Sequence, residues 1–176
     1  MREKVGYVPG CSLAAGYARN MKSTLLTRFE LSLAGLPQIL GQATPEQLRR
    51  RSQPEKWSAH ENFAHLAHFT LVTQERMARI LQEEAPLIER LRPDTEPAFL
   101  LLVERSPQEV LAELQKLRAQ LNLQVAALSE AQLERVGIHS AAGPMPLREW
   151  LELFLVHEAH HLYLAFWRLR EVLQAR

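Results

Sequence analysis

Two groups of histidines are the residues of this sequence whose spacing could support chemistry. Six of the seven histidines fall in two short windows, residues 60–68 and 157–161. His157 and His161 are four residues apart, so on an α-helix they project from one face, one turn apart, and both can reach one metal ion. A third nitrogen from a facing helix would complete a three-ligand site with an open position for water or substrate, which is the arrangement of catalytic zinc.

The spacing of this pair leaves two interpretations open. Trp150, Phe154 and Leu164 lie on the same helical stripe as the pair, which directs the imidazoles toward a partly apolar interior. A neutral imidazole is tolerated there if it has a partner, and a metal ion is one such partner. Helical spacing alone therefore predicts either a metal-binding pair or histidines that are hydrogen-bonded in a core or simply exposed.

Four long helical patterns must position these residues. The predicted helices span residues 21–40, 59–84, 107–128 and 146–173. The second helix has the clearest start, because Ser58 precedes Glu61 by three residues in a capping box and Trp57 can act as a hydrophobic staple. No strand pattern is evident, and residues 137–146 read as a loop. The sequence predicts an all-α protein, a four-helix bundle.

Length and composition indicate one domain. The chain has 176 residues, 47% of them hydrophobic and 23% charged, which is typical of a globular protein. Residues 1–20 contain three glycines and a proline without sustained periodicity, so they are predicted to form an irregular extension to a domain of residues 21–176. His60 and His139 are predicted to lie on the surface, and Trp57 and Trp150 to anchor the core.

Charge and cysteine content limit the class of partner and the compartment. Lysine and arginine (21) nearly balance aspartate and glutamate (20), so the sequence favours neither nucleic acid nor a membrane surface as a partner. No segment has the apolar length of a membrane span. Cys11 is the only cysteine, which excludes an intramolecular disulfide and fits a cytoplasmic protein. An apolar fourth helix suggests a pairing surface and hence a homodimer.

Two longer motifs resemble those of a known family. Residues 56–66 read KWSAHENFAHL, and residues 146–151 and 157–162 read PLREWL and HEAHHL. These strings resemble the opening and closing motifs of the DinB superfamily of four-helix-bundle metalloproteins, and they occur in the right order. The resemblance extends from about Met21 to Arg170.

The resemblance implies a ligand set and leaves two neighbouring residues with open roles. By position, His65, His157 and His161 would be the metal ligands, and His160 would be a neighbour. His68 stands where many members carry an acidic residue, so it either modifies the surroundings of the ion or competes as a ligand. Glu158 is a candidate partner of a ligand or a proton acceptor.

The resemblance also implies an activity. Members of this family include metal-dependent transferases that use low-molecular-weight thiols such as bacillithiol or mycothiol, and related isomerases and hydrolases. The expected cofactor is a divalent metal, zinc by default, with nickel, iron(II) or manganese as alternatives. The expected partner is a small-molecule substrate. The other hypothesis is a stress-associated metal-binding protein without catalysis that acts through dimerisation. A di-iron carboxylate bundle is disfavoured, because its Glu-x-x-His motif occurs only once here.

Overall fold

The computed structural model describes residues 13–92 and 96–175. Within them, four helices of 19 to 28 residues form the bundle: α1 (Leu13–Leu31), α4 (Ala59–Gln82), α6 (Pro107–Ala127) and α8 (Leu147–Gln174). Four short helices connect them, namely α2 (Leu36–Leu40), α3 (Pro45–Arg49), α5 (Pro97–Glu104) and α7 (Glu130–Leu133). None of the helices in this part of the chain combines the length and the apolar character that a membrane span requires. The predicted four-helix bundle is confirmed.

The first long helix differs from its predicted bounds at both ends. It begins at Leu13, inside the range predicted to be irregular, and it ends at Leu31. Residues 14–20 are mostly alanine, tyrosine, arginine and asparagine, which a helix accommodates around the single Gly16. After α1 the chain turns and re-enters a helix at Leu36, with Pro37 in the first turn of α2. Residues 1–12 of the predicted extension lie outside the described residues.

A small sheet replaces the loop predicted for residues 137–146. The strands β1 (Leu87–Ile88), β2 (Val136–His139) and β3 (Gly143–Pro146) lie in that order, with β1 parallel to β2 and β2 antiparallel to β3. The strands are short, and three of the four residues of β3 are glycine or proline, so they carry no alternating pattern. β2 and β3 form a local hairpin, whereas β1 joins β2 from about 50 residues away, a pairing that a local sequence pattern does not reveal.

Gly137 allows the sheet to approach the bundle closely. A Cβ atom at this position would lie 2.8 Å from two side-chain carbons of Ile80 and 3.2 Å from Nε1 of Trp150. Only glycine therefore lets β2 pack against α4 and α8 at this distance. The sheet brings the end of β2 beside the middle of the bundle, where it contributes to the cavity described below.

Two apolar clusters form the core, and a band of polar residues separates them. Along α4 one cluster includes residues up to Ala67 and the other begins at Phe69. On the antiparallel α8 the order is reversed, with one cluster ending at Leu155 and the other beginning at Ala165. The polar band lies at this junction on these two helices and α6, and it contains buried or half-buried charged and imidazole side chains: His65, His68, Arg118, His157, Glu158 and His161.

Candidate metal centre

Three histidines from two helices meet in this polar band. His65 lies on α4, and His157 and His161 lie one turn apart on α8. One ring nitrogen from each of the three lies within 4.8 Å of the others. Nε2 of His65 is 2.8 Å from Nε2 of His157. The structure thus brings together all three residues that the resemblance implied as ligands, and we refer to them as the histidine cluster.

The three imidazoles are held in the neutral form. Burial, reinforced by the neighbouring imidazoles His161, His157 and His68, lowers the pKa of His65 from 6.5 to about 2. Burial also lowers the pKa of His161 to about 3 and that of His157 to about 4, the latter helped by the charges of His160 and Arg76. A metal ligand must offer an unprotonated nitrogen, so this electrostatic environment prepares the cluster for a cation.

Asn62 fixes which nitrogen of His161 is available. Its amide Nδ2 donates to the Ser58 carbonyl at 2.8 Å, so its Oδ1 faces the opposite direction and accepts from Nδ1 of His161, also at 2.8 Å. Nδ1 of His161 therefore carries the proton, and Nε2 retains its lone pair. The Ser58 carbonyl is itself fixed, because Ser58 caps α4 in the predicted capping box with Glu61. The sequence reasoning did not assign this role to Asn62.

Aromatic rings lie beside the cluster. The Trp57 ring lies 5.2 Å from the His65 ring and 6.0 Å from the His161 ring, between centroids. The Phe69 ring lies 4.0 Å from that of His157. Trp57 is half-buried and packs against one core cluster, in line with its prediction as a core anchor, and it also stands beside the site. Trp150 is buried in the core as predicted. The Trp57 and Phe69 rings also line the cavity described next, where they form an apolar part of the wall beside the imidazoles.

A cavity of about 350 Å³ opens next to the cluster. Besides the three histidines and the aromatic rings, its lining includes residues of α4, of the segment after β1, and of β2: Arg76, Arg90, Leu91 and His139. His139 was predicted to be a surface residue, and it is only partly exposed, with its ring 5.3 Å from that of Trp150. The cavity has room for a small molecule that reaches the histidine cluster.

His68 lies outside the group of converging nitrogens. It is buried one turn beyond His65, and its ring lies 6.5 Å from that of Phe99. Among the described residues, the only metal-binding group of three includes His65, His157 and His161 without it. The competing-ligand hypothesis for His68 therefore has no geometric support, although its charge contributes to the lowered pKa of His65.

Glu158 points away from the histidine cluster. It is fully buried, and its Oε1 accepts from Nη2 of Arg118 at 3.0 Å. The Arg118 guanidinium contacts the rings of Phe29 and Phe154, 4.4 and 4.7 Å from their centroids, and also donates to Ser32. Burial raises the pKa of Glu158, and Arg118 opposes that rise. These contacts give Glu158 a structural partner and do not support the predicted role beside a metal ligand.

His60 is buried, which contradicts its prediction as a surface residue. Its exposed fraction is 1%, and its Nε2 donates to the Val103 carbonyl at 2.9 Å. Val103 belongs to α5, so this short helix covers His60. Arg49 also reaches this end of α5, where it donates to the Val103 and Glu104 carbonyls.

Similar proteins support the fold. A solved structure matches this chain with a TM-score of 0.73 and 23% identity, covering 93% of this chain and 92% of that one. It is described as "YfiT from Bacillus subtilis is a probable metal-dependent hydrolase with an unusual four-helix bundle topology". The uncharacterized protein YuaE of Bacillus subtilis (strain 168) is 28% identical over 133 residues, which are 66% of this chain and 80% of that protein. Residues 28–165 match the profile of the DinB superfamily, and the chain belongs to that superfamily.

Proposed function

We propose that this protein binds one divalent metal ion through His65, His157 and His161 and is a metal-dependent enzyme acting on small electrophilic molecules. The observation that carries the proposal is the convergence of three neutral ring nitrogens within 4.8 Å at the wall of a cavity. Three nitrogen donors suit zinc, with nickel, iron(II) and manganese as alternatives.

The expected chemistry follows from the charge of such a site. A divalent ion with three neutral ligands keeps its full charge and lowers the pKa of a water or thiol that occupies an open position. The histidine cluster holds the ion, and Asn62 orients His161. Trp57 and Phe69 form an apolar part of the cavity wall beside the imidazoles, and the cavity receives the electrophile.

The nucleophile we propose is a low-molecular-weight thiol of the bacillithiol or mycothiol type. This choice rests on the family resemblance of the two motifs. Water is the alternative nucleophile, and it would make the protein a hydrolase, which is the activity considered probable for YfiT. Both reactions use the same cavity and the same ligands.

A thiol-consumption assay tests the proposal. Zinc-loaded protein is incubated with bacillithiol and a panel of alkylating and aryl halide electrophiles, and the remaining thiol is measured, while a parallel set of activated esters tests hydrolysis. We expect turnover that is lost on chelation and in His157→Ala. His160→Ala is the matched control, because His160 is an exposed neighbour outside the group of converging nitrogens. Absence of metal-dependent turnover in both sets would contradict an enzymatic role.

A second candidate function is a stress-associated metal-binding protein that acts as a homodimer. The observation that favours dimerisation is an exposed apolar stripe on α8, formed by Leu153, Val156, Tyr163 and Trp167. A second copy of the chain could cover it. Sedimentation should then give a dimer that Trp167→Lys dissociates, while Leu123→Lys, at an exposed position on α6, leaves it intact. A monomeric wild-type protein would refute this candidate.

A further inference from the structure

The cavity wall formed by α4 and the sheet is rich in hydrogen-bond donors. Arg76, Arg90 and His139 line it, and none of the described residues that line the cavity is an aspartate or glutamate. With two guanidinium groups and no carboxylate among these described lining residues, this wall of the cavity favours a positive potential. Such a cavity favours an anionic ligand over a neutral or cationic one.

No carboxylate in the described part of the chain forms an ion pair with Arg76. Its guanidinium carbon lies 5.7 Å from the centroid of the Phe69 ring and 5.8 Å from that of Trp150. Nη2 donates to the Glu89 carbonyl at 2.9 Å. Among the described residues, no ion pair or other side-chain hydrogen bond occupies the rest of the guanidinium. Its position is therefore fixed by stacking and by one carbonyl, and its further N–H groups are available to a ligand.

Arg90 and His139 supply further donors from the sheet. Arg90 follows β1, where its backbone N–H donates to the Ser140 hydroxyl at 3.1 Å, and its side chain forms no ion pair with the described residues. Nδ1 of His139 accepts from the backbone amides of Ala141 and Ala142 at 3.0 and 3.1 Å. In the neutral ring the proton is consequently on Nε2, so His139 is also a donor.

The distance to the histidine cluster sets the size of the ligand. The Arg76 guanidinium carbon is 5.7 Å from the centroid of the Phe69 ring, and the centroid of the His157 ring is 4.0 Å from that same centroid. The Arg76 guanidinium carbon and the His157 ring centroid are therefore at most 9.7 Å apart. A molecule with an anionic group a few bonds from its reacting atom can span this distance.

We propose that Arg76 and Arg90 bind the carboxylate or phosphate group of an anionic substrate and thereby direct its reacting part toward the histidine cluster. That the substrate reacts at the histidine cluster rests on the proposed function, but anion binding itself can be measured without metal. A planar guanidinium forms two parallel hydrogen bonds with either group, which gives orientation as well as attraction. The specificity of the enzyme is therefore for negatively charged small molecules.

Calorimetric titration with simple probes tests this proposal. Succinate, inorganic phosphate and the neutral isostere succinamide are titrated into metal-free and zinc-loaded protein at fixed ionic strength. The variants are Arg76→Gln, Arg90→Gln and the double variant. Arg79→Gln is the matched control, since Arg79 lies one turn along α4, pairs with Glu83 and does not line the cavity. Thermal unfolding and zinc affinity of each variant establish that the fold and the histidine cluster are intact.

We expect an anion to bind at least about tenfold more tightly than succinamide, with the better of succinate and phosphate identifying the preferred group. Each single arginine variant should weaken that binding about tenfold and the double variant about a hundredfold, while Arg79→Gln changes it by about twofold or less. Equal binding of succinate, phosphate and succinamide, or wild-type anion binding in a folded double variant, would overturn the proposal. Failure of zinc binding with anion binding preserved would instead overturn the proposed function alone.

Discussion

Replacing Asn62 with alanine should weaken metal binding without removing any ligand. Asn62 is buried and accepts a hydrogen bond from Nδ1 of His161 while its amide group donates to the Ser58 carbonyl. In Asn62→Ala the proton of His161 is no longer fixed on Nδ1, so the ring can present either nitrogen and can turn about its side-chain bond. The three ligands remain, but one of them is no longer preorganised.

The magnitude follows from the two bonds that are lost. Loss of a partner that orients a ligand histidine costs about 10- to 100-fold in metal affinity, or about 1.4–2.7 kcal/mol. The metal-free protein should also lose about 1–3 kcal/mol of unfolding free energy, because Nδ1 of His161 remains buried without an acceptor. The expected loss of metal affinity is thus larger than that caused by a substitution far from the site, and smaller than that caused by removing a ligand.

Competition with a chromophoric chelator measures zinc affinity in the variants. A double-mutant cycle with His161→Ala isolates the coupling, because Asn62→Ala should have little further effect on affinity once His161 is absent. Asn122→Ala is the control for the loss of an asparagine, since Asn122 lies half-buried on α6. Wild-type zinc affinity in Asn62→Ala, or equal effects of Asn62→Ala in both backgrounds, would refute the role assigned to this amide.

Three further predictions concern stability. Gly137→Ala should destabilise the protein by about 1–3 kcal/mol in urea unfolding, because its Cβ meets Ile80 at 2.8 Å, and Gly35→Ala, with open space around it, should not. Glu158→Gln should lower the free energy of unfolding by about 3–5 kcal/mol, because Arg118 stays buried without its charge partner, but it should leave zinc affinity unchanged. A loss of zinc affinity would show that Glu158 supports the metal site after all. In metal-free protein, folding lowers the pKa values of the histidine cluster, so below pH 6.5 the unfolded state binds more protons than the folded state. The unfolding free energy therefore falls as the pH is lowered, by at most about 4 kcal/mol per pH unit for three histidines. Equal stability at pH 7 and pH 5 would contradict their burial.

The bundle was predictable because its signals are local. The capping boxes at Ser58 and Ser106 define the starts of α4 and α6 within one residue, and Pro146 precedes α8 directly. The spacing of His157 and His161 likewise follows from one helix. His65 needed the family resemblance, since spacing within one helix does not report which facing helix supplies a third nitrogen.

The parts that sequence reasoning missed depend on contacts between distant segments. In the sheet, β1 pairs with β2 across about 50 positions, and none of the short strands, including those of the local β2–β3 hairpin, has an alternating pattern of its own. His60 is buried because α5 covers it, and Asn62 acts through a residue 99 positions away. Arg76 and Arg90 meet at the cavity only because α4 and the sheet are adjacent. A single sequence contains no local signal for these contacts.

The metal content of the purified protein tests the central claim most directly. Elemental analysis of the wild type should give one divalent ion per chain, and His65→Ala, His157→Ala and His161→Ala should each fall far below that ratio while remaining folded. His160→Ala should keep the wild-type ratio, because this exposed imidazole lies outside the converging group. Stoichiometric metal in all three cluster variants, or none in the wild type after equilibration with zinc, would contradict the account.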